Sequence, residues 1–232
     1  MEGTRLLILQ LLQKNNSDTV EGLAKAIGLA PATIRRHLDI LQRDRFVAFE
    51  EIRKKTGRPE YSFFLTDDGQ ETLPKRYDRL LNQVMQLMSS MTAQDIEGKA
   101  GSQVLELVFQ RLSDQVWKEY EGQVADQDLE QRLTVLTDLL AKEDFSPMIE
   151  LKDETLQIKL LNCPFRLVAL ENRAVCSFDE NLISNMLALK LEQKDNICDG
   201  ASGCMYTAHV GNKLPAGFST VQDEVAPSRT DR

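Results

Sequence analysis

No apolar run in this 232-residue chain approaches the roughly 20 residues needed to cross a bilayer, which excludes a helical membrane span. The first residues, Met1-Glu2-Gly3-Thr4-Arg5, lack the basic start and apolar stretch of a secretory signal, so the expected location is cytoplasmic. There is no Cys-x2-Cys pair, so neither a zinc knuckle nor the usual thiol-redox motif has support. No Ser/His/Asp set and no Gly-rich phosphate loop appears either. These absences weigh against an enzyme.

The composition that remains is ordinary for a globular protein, with 42% hydrophobic and 28% charged residues. The net charge of −8 looks unsuited to nucleic acid, but it is unevenly spread. Residues 1–66 carry 11 Lys/Arg against 8 Asp/Glu, or +3, and residues 67–232 carry 17 against 28, or −11. A polyanion such as DNA would attract the first part and be repelled by the second.

The basic part reads as a DNA-binding module. Leu6, Leu7, Leu9, Leu11 and Leu12 mark a mostly buried helix over residues 4–14. Thr19 is placed to cap a second helix, Val20–Ile27, and Gly28 to end it. Pro31 opens a third helix that runs to about Arg43, with Ile34, Leu38 and Leu41 as its apolar stripe. Thr33, Arg35, Arg36 and His37 are assigned to its free face. Two helices joined by a short Gly-containing turn form a helix-turn-helix whose second helix enters the major groove, where Arg bonds guanine and Thr offers its methyl to thymine. Strands are expected at Phe46–Phe49 and Tyr61–Leu65. Between them Arg53, Lys54, Lys55 and Arg58 surround a Gly and a Pro and make a basic wing suited to phosphate or minor-groove contact.

The string GLAPATIRRHLDILQRDRFV followed by GRPEYSFFLTDDG resembles the winged helix of ArsR- and DeoR-type bacterial repressors over residues 4 to about 70. Ala30 departs from the Ser that such proteins often place as an N-cap. The resemblance implies a transcription regulator acting as a repressor on double-stranded DNA.

Beyond the module, Pro74–Met91 is a helical pattern with Tyr77, Leu80, Leu81, Val84, Leu87, Met88 and Met91 on one side. It either packs on its own domain or pairs with a second copy, and a homodimer is expected because such modules read paired half-sites. Thr92–Gly101 reads as a linker. Two helices follow, about Val104–Glu121 and Leu129–Glu143, whose Trp117 and leucines are assigned to core packing. From Ser146 the pattern turns to strands at Met148–Leu151 and Leu156–Leu160 around a turn, then two short helices, then two closing strands separated by a loop. Residues 211–232 are polar and aperiodic and are expected to be a disordered tail.

All four cysteines, Cys163, Cys176, Cys198 and Cys204, fall in the third region, spaced C-x12-C-x21-C-x5-C. Clustered cysteines in a cytosolic chain point to metal or redox chemistry, and thiolates select zinc, copper(I) and iron–sulfur clusters. A chain with no bound metal stays open as well, since free cysteines are commonly buried. The segments NCPFRLVA…VC and CDGASGCMYTA resemble the C-terminal domain of SufR-like iron–sulfur regulators. That resemblance implies a [4Fe–4S] cluster on Cys163, Cys176 and Cys204, with cluster status controlling DNA affinity. Zinc is the alternative metal. Cys198 lies beyond a longer gap than the family's, and His209 is the non-cysteine alternative.

The expected fold class is α+β: a winged helix at 1–70, a helical dimerisation and linker region at 71–145, and a cysteine-bearing α+β sensor domain at 146–210. The alternatives are a winged-helix regulator of another metal or a small ligand, and, outside that class, a thiol-redox or protein-interaction protein.

Overall fold

The computed structural model describes residues 3–52, 60–214 and 218–220. It is α+β, with a helix-turn-helix at the N-terminus and a small sheet region at the C-terminus. Helix α1 (Thr4–Asn15) is followed by a two-residue strand β1 (Asp18–Thr19), α2 (Val20–Ile27) and α3 (Pro31–Arg43). The α2 boundaries follow from local chemistry. The Thr19 hydroxyl accepts from the Gly22 N–H at 3.1 Å, and Gly28 closes the helix at φ 76°, in the left-handed region. Pro31 starts α3, and Ala30 supplies no side-chain cap.

Strands β2 (Val47–Ile52) and β3 (Glu60–Leu65) pair antiparallel, and β1 adds to the free edge of β3. Beyond the expected elements the structure adds β1, whose two residues carry no periodicity, and α4 (Asp67–Glu71), a single turn capped by the Thr66 hydroxyl accepting from Gly69 N–H at 3.0 Å. Gly69 is required there, since a Cβ would lie 2.0 Å from the Phe46 carbonyl oxygen. Ile8, Leu9, Leu12, Leu23, Ile34, Leu38, Leu41, Val47, Phe63 and Leu73 form one compact core.

The rest shares a second core. Helix α5 (Tyr77–Ser90) packs on α7 (Gly101–Val124), and α8 (Leu129–Lys142) leads into strands β4 (Pro147–Lys152) and β5 (Thr155–Leu160). Between α5 and α7, the expected linker is a built turn. Helix α6 (Ala93–Ile96) is capped through Thr92 and Asp95, and Asp95 is ion-paired with Arg111 of α7. Helices α9 (Arg166–Glu171) and α10 (Ser177–Leu187) precede β6 (Glu192–Asp195) and β7 (Cys204–His209). The sheet is antiparallel throughout, in the order β4-β5-β7-β6, with Ile149, Ile158 and Tyr206 in register across it. Asp153 and Glu154, both at positive φ, make the tight β4–β5 turn. Leu80 and Leu87 of α5 join the same apolar cluster as Leu112, Leu136, Ile158 and Leu182, so the expected division at 145/146 runs through one core.

The tail expectation needs correcting for the residues that are described. Leu214 is buried, and Phe218–Thr220 runs along the edge of β4, with Leu151 N–H donating to Phe218 O at 2.9 Å and Thr220 N–H to Ile149 O at 3.0 Å. An open sheet edge offers backbone partners that side-chain composition does not reveal. Residues 221–232 lie outside the described residues.

Candidate DNA interface and cysteine pocket

Successive residues of a helix are about 100° apart. With Ile34, Leu38 and Leu41 buried, the outward line of α3 runs through Ala32, Arg36, Asp39 and Arg43. Thr33 and Arg35 are exposed on either flank, and Arg35 is ion-paired with Glu21 of α2 at 2.9 Å. His37 departs from expectation. It is half-buried on the inner flank, and its Nδ1 is enclosed with no hydrogen-bond partner among the described residues. The physical reason is angular: residues 33 to 37 span more than a full turn and cannot all share one face. Arg43, two turns from Arg36, was missed, although an i, i+7 reading from Arg36 would have found it. Arg53, Lys54, Lys55 and Arg58 lie outside the described residues. At the base of their hairpin, Phe49 and Tyr61 are exposed and meet edge to face at 4.9 Å.

The four cysteines come from four separate places. Cys163 follows β5, and Cys176 ends a 3-10 turn before α10. Cys198 sits in a 3-10 turn between β6 and β7, and Cys204 is the first residue of β7. All four line a single pocket, together with Phe145, Asn162, Phe165 and Asp179. Cys198, the least regular in spacing, stands 3.8 Å from Cys176, sulfur to sulfur, and its thiol donates to the Ala169 carbonyl at 3.1 Å. Arg173 and Asp199 form an ion pair that ties together the two turns bearing Cys176 and Cys198. His209 is at the far end of β7 from Cys204, exposed and 4.0 Å from Glu154, and does not join the cysteines.

Burial dominates the acidity of this pocket. It pushes the Cys163 and Cys176 thiols well up and Cys204 to about 12, with the Asp179 carboxylate adding to each. Asp179 is itself raised to about 7 by burial, although the Tyr206 hydroxyl donates to it at 2.9 Å and opposes that rise. Neither residue was singled out from the sequence, where nothing marks an Asp three residues after Cys176. Among the described residues, no three His, Cys, Asp or Glu side chains are arranged to hold one metal ion. The free room between the cysteines is about 10 Å³, on the order of one water.

Residues 2–48 match the family model of the bacterial regulatory protein, arsR family. That match covers about a fifth of the chain and falls on the N-terminal helix-turn-helix, and the family it describes is one of DNA-binding regulatory proteins. The chain is also similar to a transcriptional regulator homologue from Pyrococcus horikoshii OT3, at 22% identity over 37% of this chain and 79% of that one, with a TM-score of 0.27. Bacillus subtilis PadR in complex with operator DNA is similar at 15% identity over 79% of this chain and 97% of that one, also with a TM-score of 0.27. No curated protein matches the chain. No helix among the described residues is long and apolar enough to cross a membrane.

Proposed function

We propose that the chain is a dimeric repressor whose affinity for its operator is set by an iron–sulfur cluster held by Cys163, Cys176, Cys198 and Cys204. The observation that supports this reading is the convergence of all four cysteines, from four separate segments, on one pocket. The donor set fits, since iron–sulfur clusters take cysteine thiolates. The free room of about 10 Å³ is smaller than such a cluster, so holding one would require the cysteine-bearing segments to separate. A bound cluster would supply a tie among these segments that oxidants can remove. The chain's own part is to keep the thiols buried and to close the pocket with Phe145 and Phe165.

On the DNA side, Arg36 and Thr33 are the base-reading candidates. Arg35 joins them once released from Glu21. Arg43 and the wing cations Arg53, Lys54, Lys55 and Arg58 would neutralise phosphates. Pairing of two copies through α5 is supported by Leu81, Met85 and Met88, an i, i+4, i+7 stripe exposed by 60%, 59% and 52%.

The test is anaerobic iron and sulfide loading of the wild type and of four Cys→Ser variants, with iron counted and operator binding measured. Serine at 163, 176 or 204 is expected to abolish or sharply reduce iron. Equal iron in all four variants, or none in the wild type, would refute the cluster.

A zinc reading draws on one specific distance. Zn–S bonds of about 2.3 Å set the sulfurs of a tetrahedron about 3.8 Å apart, which is the Cys176–Cys198 separation. Zinc rather than iron in the protein as purified would favour it.

A further inference from the structure

We infer that the segment Asn162–Leu167, which carries Cys163, is the coupling element between the cysteine pocket and the winged helix. The inference rests on the cluster reading above and names how the pocket would act on DNA binding. On both sides of Cys163 the segment is bonded to the DNA-binding module or to the chain that leaves it.

Asn162 lies before the cysteine and is 2% exposed. Its side-chain oxygen accepts from Gln13 Nε2 of α1 at 3.4 Å and from Lys75 Nζ at 3.0 Å. Its side-chain amide donates to the carbonyls of Pro74 at 2.8 Å and Asp144 at 2.6 Å. Its backbone N–H donates to Phe145 O. Every polar atom of this side chain is used, and three of its four side-chain bonds go to α1 or to the strand of chain linking α4 to α5. Lys75 also donates to Gln70 O of α4 at 2.8 Å, so the joint reaches two elements of the module.

On the other side of the cysteine, Pro164 O accepts from Arg76 N–H at 3.0 Å. Arg166 pairs with Asp67 and with Glu71, both on α4. Glu71 accepts from the Tyr77 hydroxyl at 2.7 Å, and that hydroxyl accepts from Leu167 N–H at 3.1 Å. Thus α4, the turn after the wing, is held to the cysteine segment through side chains at both its ends.

The geometry makes these contacts sensitive to the pocket. Cys163 and Asn162 both line the pocket, and Asn162 and Arg166 carry the bonds to the winged-helix side, so a displacement of Cys163 would shift both anchors. Pairs whose geometry is this closely specified break rather than stretch. The two winged helices of a dimer would then be held differently in the loaded and empty states, which changes their fit to half-sites about one helical turn apart.

The experiment changes only the winged-helix side, leaving the pocket untouched. The double variant Asp67→Asn with Glu71→Gln is compared with wild type, full-length and anaerobic, with and without iron and sulfide loading. Arg166→Gln serves as the second variant should the first fail to fold. Three readouts are taken: iron content, the ratio of operator affinities between loaded and empty protein, and amide hydrogen exchange over residues 66–78. We expect wild type to load iron, to change affinity by a factor within the usual range of about 5 to 150, and to change exchange in α4. The variants should load the same iron while the affinity ratio falls toward one and the exchange change disappears. Normal iron with the affinity ratio retained in both variants would overturn the coupling and leave the cluster reading standing. A wild type that takes up no iron would overturn both.

Discussion

The proposed dimer face is the sharpest test of how α5 is used, because the two sides of this helix respond differently to the same substitution. Leu80 is 6% exposed and packs in the core against α7, whereas Met85 is 59% exposed. An Asp at position 80 loses a buried leucine, which costs about 2–5 kcal/mol even without a charge. It also buries a carboxylate with no partner, and together these approach the 5–15 kcal/mol that hold a domain folded. An Asp at position 85 forfeits less than half of a side-chain burial worth about 1.5–3 kcal/mol, so on the order of 1 kcal/mol within one copy. In the proposed dimer, however, it would place a charge in the middle of the Leu81–Met85–Met88 stripe. Sedimentation equilibrium should give wild type at twice its 26.3 kDa chain mass. Met85→Asp should appear as a folded monomer, with its urea midpoint changed little and its affinity for paired half-sites lost. Leu80→Asp should lose the helical circular dichroism contributed by the second core while the winged helix, which has its own core, keeps its share. A monomeric wild type, or a Met85→Asp protein that stays dimeric, would refute the assignment of this face.

The remaining predictions concern the other parts. Arg36→Ala should weaken binding to a selected operator by about 1–3 kcal/mol while leaving unrelated DNA almost unaffected, and Arg43→Ala should weaken both and reduce the salt slope by about 1; competition binding at several salt concentrations separates the two. Gly69→Ala must displace the Phe46 carbonyl and should destabilise the winged helix by about 1–3 kcal/mol, read as an earlier first transition in thermal melting. In the metal-free protein, Asp179 is raised to about 7 from an unfolded value of about 3.9, so the folded state holds a proton that the unfolded state has released. The stability it contributes is fully present below about pH 4 and is lost as the pH rises toward 7. Asp179→Asn should therefore gain on wild type between those values, by at most about 1.4 kcal/mol per pH unit, and parallel denaturation curves would contradict that.

The helix-turn-helix was legible because its determinants are local. A Thr cap, a Gly at positive φ, a Pro at the first helical position and an apolar stripe each act within a few residues. The same locality explains what was missed. His37 falls off the outward face because five consecutive helical residues sweep more than a full turn. Strand β1 and helix α4 are too short to show a period, and Phe218–Thr220 takes its partners from β4, far away in sequence. In the cysteine region, composition revealed the clustering along the chain but not the convergence in space, which depends on the β5–β7 register that sets Leu160 opposite Cys204. Asn162 and Arg166 carried no signal at all, since their partners lie some 90 to 150 residues earlier.

The most direct test of the account is operator binding by one protein preparation in two states. The wild type is purified anaerobically, its operator is selected from random DNA, and affinity is measured before and after the iron is removed by chelation. The account predicts a brown protein absorbing at roughly 400 nm whose loaded and empty forms differ in operator affinity by about fivefold or more. A colourless, iron-free protein, or a brown one whose affinity is the same with and without its iron, would contradict it.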